Sequence, residues 1–121
     1  MPIKVYIAGP YSQGDVGLNV HKALALGSTL LDAGFVPYVP HLTHFWHLQH
    51  PEPKAVWQEY DKHWLGLCDA VLRLPGPSEG ADEEVAWAKA HNIPVFYTVT
   101  EIWTLTSEKE SDAAAKDSRS Y

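Results

Sequence analysis

Three stretches of the chain carry residue types able to do chemistry. Residues 75–88 read Pro-Gly-Pro-Ser-Glu-Gly-Ala-Asp-Glu-Glu-Val-Ala-Trp-Ala, and the pattern puts Asp82, Glu83 and Glu84 in the first turn of a helix over Ala81 to His91. Acids there complement the helix macrodipole, each worth a few tenths to about 1 kcal/mol. The same field favours an ionised carboxylate, which a carboxylate nucleophile must be. Ser78, just ahead, either binds a phosphate or caps the helix. A further acid, Asp61, stands in Gln58-Glu-Tyr-Asp-Lys-His-Trp, beside Trp57, Tyr60, Trp64 and Leu65, which form an apolar stripe at helical spacing and read as core. Asp61 is either a solvated acid paired with Lys62 or Lys54, or a second functional carboxylate near that stripe.

The histidines at 41, 44, 47 and 50 recur every three residues. On a helix, steps of three drift by about 60° each, so the four cannot share one face. With no thiolate nearby, they read as rings lining a pocket rather than as metal ligands, and no metal or cofactor is expected. His41 and His44, with Phe45 and Trp46, are the candidates to contact or stack on a base. The third stretch is Tyr6-Ile-Ala-Gly-Pro-Tyr-Ser-Gln-Gly. Gly9 lets a ligand approach the backbone, and the helix that follows offers free N–H groups to an anion. It is also what a plain strand-to-helix turn looks like, and neither a dinucleotide fingerprint nor a Walker lysine motif is present. Gly9, Pro10, Tyr11 and Ser12 are its candidate substrate-binding residues.

Alternating elements position these stretches. Lys4–Ala8, Phe35–Val39, Asp69–Leu74 and Pro94–Tyr97 read as strands. Val16–Ala33 and Pro53–Leu67 read as helices, the first with Val20, Ala23, Leu24, Leu26, Leu30 and Leu31 as its apolar face and Gly34 closing it. Residues 41–52 read as an aromatic loop or broken helix, and 101–105 as a helical turn. Pro37 and Pro40 put the second strand at an edge or cut it short. This order predicts an α/β fold of three layers, a four- to five-stranded parallel sheet flanked by helices, flavodoxin- or Rossmann-like. Ligands in such sheets sit beyond the carboxyl ends of the strands, which selects the segments 9–15, 40–50 and 75–84. Residues 1–106 are expected to form one domain and 107–121 a polar tail.

The chain has 121 residues and a formal net charge of −6, from nine Lys and Arg against fifteen Asp and Glu. That balance argues against polymeric nucleic acid, whose phosphates must be neutralised, but not against one nucleotide. The single cysteine, Cys68, excludes an intrachain disulfide and fits a reducing compartment. No apolar run reaches membrane-spanning length. A cytoplasmic location with no membrane partner is the expectation.

Together the three stretches resemble the nucleoside 2-deoxyribosyltransferase superfamily, and within it the small 2′-deoxynucleoside 5′-monophosphate N-glycosidase-like members, over about residues 3–97. Tyr6-Ile-Ala-Gly is similar to the family's first strand. Asp61 precedes Glu84 by 23 residues, close to the family's separation of catalytic Asp and Glu. Ser78, Gly80, Glu84 and Ala88 match its nucleophile helix, an alignment that selects Glu84 over Glu83. The resemblance implies that Glu84 attacks C1′ and forms a glycosyl-enzyme, that Tyr6 orients Glu84, and that Asp61 contacts the sugar or protonates the departing base. It implies that Ser78 holds a 5′-phosphate. In the first loop this chain has Pro10 and Ser12 where the monophosphate hydrolases carry Ser and Arg. A retaining mechanism of this kind needs its two carboxyls about 5 Å apart, one ionised and one able to give a proton.

The function expected is N-glycosidic cleavage or transfer on a 2′-deoxynucleoside or its 5′-monophosphate. The alternatives are hydrolysis of another N-ribosyl bond and a non-catalytic nucleotide-binding module. The resemblance also implies a homodimer or larger homo-oligomer.

Overall fold

The structure, a computed structural model, describes residues 2–105. Within them the order is β1 (Lys4–Ala8), α1 (Val16–Asp32), β2 (Val36–Tyr38), a 3-10 turn (Pro40–Leu42), α2 (Thr43–Gln49), α3 (Lys54–Leu65), β3 (Ala70–Arg73), α4 (Glu79–Ala90) and β4 (Val95–Phe96). Residues 99–105 are helical. The expected tail 107–121 lies outside the described residues.

All strand pairs are parallel, in the order β2-β1-β3-β4, with Tyr6 opposite both Tyr38 and Val71 and Leu72 opposite Phe96. The fold is therefore the three-layer α/β arrangement that alternating strands and helices predict. The short β2, carrying Pro37, lies at an edge, where a missing N–H costs no ladder bond on the open side.

Central β1 is covered on both faces, which is why its sequence is a continuous apolar run. Strand alternation sends Val5 and Ile7 into a core with Ala23, Leu30, Phe35, Val39, Leu72 and Ile102. Tyr6 and Ala8 face the other way, with Val71 of β3, against Leu65, Ala81 and Ala88 of the α3/α4 layer. On α1 the buried positions are Val20, Ala23, Gly27 and Leu30, an i+3, i+4, i+3 series. Leu31, expected on that face, is one position off the stripe and exposed. Gly34 follows α1 at φ +94, with its N–H on Leu31 O at 3.1 Å, a left-handed position that a side chain would strain.

β2 and β3 leave β1 in opposite directions, so the order reverses at β1/β3. The loops opening α1 and α4 flank this switch point, where doubly wound sheets place ligands. Among the described residues no helix is long and apolar enough to cross a membrane.

Candidate active site

Tyr6 is completely buried, and its hydroxyl donates to Glu84 Oε2 at 2.5 Å. Its ring stacks on Tyr38 (centroids 5.5 Å apart), and Tyr38 stacks on Trp64 at 5.8 Å. The Tyr38 hydroxyl donates to Asp61 Oδ1 at 3.2 Å. Two stacked phenols on neighbouring strands thus reach two carboxylates on neighbouring helices. The pairing follows from register, because Tyr6 and Tyr38 are cross-strand partners and their side chains emerge on the same face.

Burial governs the electrostatics. Desolvation is the main cause that pushes Asp61 up to about 7, opposed by the Tyr38 hydrogen bond. Desolvation also pushes Glu84 up to about 7, with the Tyr6 bond and Arg73 pulling down and the Asp61 and Glu83 charges pushing up. Tyr6 itself is raised by burial and then by the charges of Glu84 and Asp61. Tyr38 is raised by burial and by Asp61. Both phenols therefore remain donors at neutral pH. The two carboxyls titrate as a pair near pH 7, where the state holding one proton between them is well populated. One carboxylate and one carboxylic acid on the same cluster is the arrangement that acid–base and nucleophilic roles require.

The helix carrying Glu84 departs from expectation. α4 begins at Glu79, two residues earlier than its sequence pattern predicts, because Ser78 is an extended N-cap whose Oγ accepts from Ala81 N at 3.0 Å. The first-turn acids are Glu79 and Asp82, so Glu83 and Glu84 lie in the second turn. The macrodipole acts mainly in the first turn and is not what sets Glu84. Its pKa rises rather than falls. Asp61, too, is not a solvated acid paired with Lys62 or Lys54, since it is 9% exposed and bonded to Tyr38.

The first loop is fastened on three sides. His41, 4% exposed, has Nε2 3.0 Å from the Pro10 carbonyl, which can only accept, so Nε2 carries the proton. Burial holds the His41 pKa below its ordinary value. Tyr11 hydroxyl and His44 Nδ1 are 2.7 Å apart. Asn19 Nδ2 donates to the Tyr11 and Gln13 carbonyls, and Glu79 N donates to Gln13 Oε1 at 3.0 Å. Ser12 is exposed. At Gly9 a Cβ would stand 2.9 Å from Leu74 Cβ, so the close approach that needs glycine there is to the neighbouring strand's extension rather than to open space. In front of Gly80 a Cβ would meet nothing within 4 Å.

The histidines turn to separate partners. His47 Nδ1 accepts from Trp57 Nε1 at 2.9 Å and from Glu52 N at 3.2 Å, while His50 is exposed at the end of α2. Among the described residues no three His, Cys, Asp or Glu converge on a metal-sized site. The aromatic stripe of α3 is not core as expected. Of its members only Leu65 is fully buried, and Trp64 is 43% exposed. Trp57 and Tyr60 pack edge-on to Trp46 of α2 at 5.0 and 5.5 Å. A groove of about 250 Å³ beside Trp46 and Tyr60 is lined by those two with Pro37, Tyr38, Val39, Leu42 and Thr43. Tyr38 belongs to both this groove and the carboxylate cluster, whereas Tyr6, Asp61 and Glu84 do not line the groove.

Three residues with a part in this geometry carry no signal in the sequence pattern. Tyr38 sits in a three-residue strand between prolines, where nothing local marks it as the donor to Asp61. Gln13 is one polar loop residue among several. Arg73 ends β3, where its guanidinium bonds Asp82 at 2.8 Å and the Leu74 carbonyl and biases Glu84 toward ionisation.

Among solved structures, the fold is similar to that of a 2-deoxyribosyltransferase from the psychrotolerant bacterium Bacillus psychrosaccharolyticus. The TM-score is 0.57 at 18% identity, over 76% of this chain and 69% of that one. No curated protein matches the sequence. Residues 3–98, which span every element from β1 to β4, match the family model DUF7768, a domain of unknown function, and the chain belongs to that family.

Proposed function

We propose that this domain cleaves or transfers the N-glycosidic bond of a 2′-deoxynucleoside or its 5′-monophosphate through a covalent deoxyribosyl-Glu84 intermediate. The observation that carries the reading is the cluster itself, in which Tyr6 donates to Glu84 at 2.5 Å and Tyr38 donates to the buried Asp61. Burying an ionisable carboxyl is costly, and carboxyls perturbed by burial and held by specific partners concentrate at functional sites. The fold shared with a 2-deoxyribosyltransferase supports the same chemistry.

In this mechanism Tyr6 holds Glu84 ionised and oriented. Glu84 Oε attacks C1′ as the C1′–N bond breaks, and Asp61 gives its proton to the departing base nitrogen. The C1′–Oε ester then breaks in turn. When water attacks C1′, its proton returns to Asp61 and Glu84 leaves as carboxylate, which gives a hydrolase. When a second base attacks through nitrogen, its proton goes the same way, which gives a transferase. The base lies toward the 40s segment, where His44 and Trp46 present partly exposed rings. Gly9, Pro10, Tyr11, Ser12, Ser78 and Gly80 shape the sugar side, while His41, expected at the base, is buried and acts behind it by holding the Pro10 carbonyl.

The reading includes a homodimer or larger homo-oligomer in the cytoplasm. Exposed Leu42, Phe45, Trp46 and Leu48 make α2 and its entry a large apolar surface, of the kind that a partner subunit covers. A free Cys68 fits a reducing compartment.

Incubation with a panel of deoxynucleosides and their monophosphates, with and without an acceptor base, tests the function. Free or exchanged base is expected from the parent chain, and Glu84→Ala lowers the rate by about 10³-fold or more. Turnover unaffected by Glu84→Ala rules out the covalent role. Ribonucleoside substrates run in parallel separate the deoxy preference from cleavage of another N-ribosyl bond.

A further inference from the structure

Resting on the glycosidic reading above, we infer that the substrate has an uncharged 5′ end, a free nucleoside rather than a 5′-monophosphate, and that Gln13 makes this selection by occupying the place a phosphate would take. Phosphate groups beyond a parallel sheet are held by helix N–H groups, usually with a cation. The N-terminus of α4 is the relevant one, because Glu79 precedes Glu84 by five residues, about 7.5 Å along the helix axis. That is a span suited to a sugar whose C1′ meets Glu84.

This terminus is already filled by the chain's own groups. Glu79 N donates to Gln13 Oε1 at 3.0 Å, and Ala81 N donates to Ser78 Oγ at 3.0 Å. Asp82 N bonds Ser78 O inside the helix. Of the first three N–H groups only that of Gly80 remains. The backbone that presents Gln13 is held in place, since Asn19 Nδ2 donates to the main-chain carbonyls of Gln13 at 2.8 Å and Tyr11 at 2.9 Å. The other helix at the switch point opposes an anion by charge, because α1 is capped by the Asp15 carboxylate, which accepts from Leu18 N at 3.0 Å.

Charge runs the same way. Glu79 and Asp82 lie in the first turn of α4, and residues 9–15 and 75–84 contain no Lys or Arg. Arg73, the cation that reaches this region among the described residues, is engaged by Asp82 at 2.8 Å and by the Leu74 carbonyl. A phosphate would have to displace a neutral carboxamide that already satisfies its donor, beside two carboxylates. A 5′-hydroxyl meets no such opposition.

The test compares kcat/KM for a deoxynucleoside and its 5′-monophosphate bearing the same base. The parent is expected to favour the nucleoside by about 100-fold, and Gln13→Ala, which frees Glu79 N for a charge-assisted bond, to narrow that ratio by about tenfold. Gln13→Glu keeps the bond, adds a charge and widens the ratio. A parent that uses the monophosphate as well as the nucleoside, or a ratio unmoved by Gln13→Ala, overturns the inference. Should no base be released from any substrate, the glycosidic reading falls, and tryptophan fluorescence titration of Glu84→Gln with both ligands decides the inference. Tighter nucleoside binding sustains it, whereas equal or tighter monophosphate binding, or no binding of either, refutes it.

Discussion

Replacing Glu84 by Gln removes a charge while keeping an oxygen acceptor for the Tyr6 hydroxyl, so it isolates what the buried carboxylate costs the fold. Burial raises Glu84 from 4.5 to about 7. At pH 8, where the group is ionised in both states, that rise corresponds to about 3 kcal/mol of lost stability. Glu84 is partly exposed, and a glutamine NH2 brings its own desolvation, so a net gain of about 1–2 kcal/mol for Glu84→Gln is expected at pH 8. Between pH 4.5 and 7 the folded chain keeps a proton that the unfolded chain releases, so parental stability falls as pH rises through this window. Below pH 4.5 the carboxyl is neutral in both states and the variant's advantage disappears. Urea unfolding followed by tryptophan fluorescence at pH 4, 6 and 8 measures this, and in a domain this size each 1 kcal/mol also moves Tm by about 4–8 °C. Equal midpoints at pH 8, or an advantage independent of pH, would mean that Glu84 carries no burial penalty. A stabilised variant that has lost turnover would instead show a functional group held against the interest of the fold.

With Glu84 and Asp61 both pushed up to about 7, the proposed mechanism, which needs one of them ionised and the other protonated, predicts a bell-shaped kcat/KM profile with its maximum close to pH 7. A profile flat from pH 5 to 9 would contradict the shared proton. Tyr6→Phe keeps the ring stack but removes the donor that pulls Glu84 down, so the acid limb moves to higher pH and kcat falls by about 10- to 100-fold. A change confined to KM would show that Tyr6 does not orient Glu84 for the proposed attack. Gly9→Ala forces a Cβ to within 2.9 Å of Leu74 Cβ and is expected to destabilise the domain by about 1–3 kcal/mol. An unchanged urea midpoint would mean that the strand extensions separate freely.

The order of elements and the parallel sheet are legible in the chain because both rest on short-range periodicity. A run such as Val5-Tyr6-Ile7-Ala8 has nowhere to go but a strand covered on both faces, and the spacing of Val20, Ala23 and Leu30 leaves α1 one face to bury. The sheet rule likewise marks the three segments that meet beyond β1 and β3. The acids themselves are visible, but their environment is not. Whether Glu84 is governed by a helix terminus or by burial depends on where α4 starts, and Ser78 and the contact with Gln13 move that start to Glu79. Asp61 looks like any helical acid until Tyr38, 23 residues away, bonds to it. The stripe of Trp57, Tyr60 and Trp64 has the spacing of a core face, yet α2 packs rings against it and leaves it at the surface. Periodicity is a property of neighbours along the chain and survives in the sequence. Desolvation and hydrogen-bond satisfaction at a carboxylate are sums over side chains from residues 6, 38, 61 and 84, and only the folded chain brings those into contact.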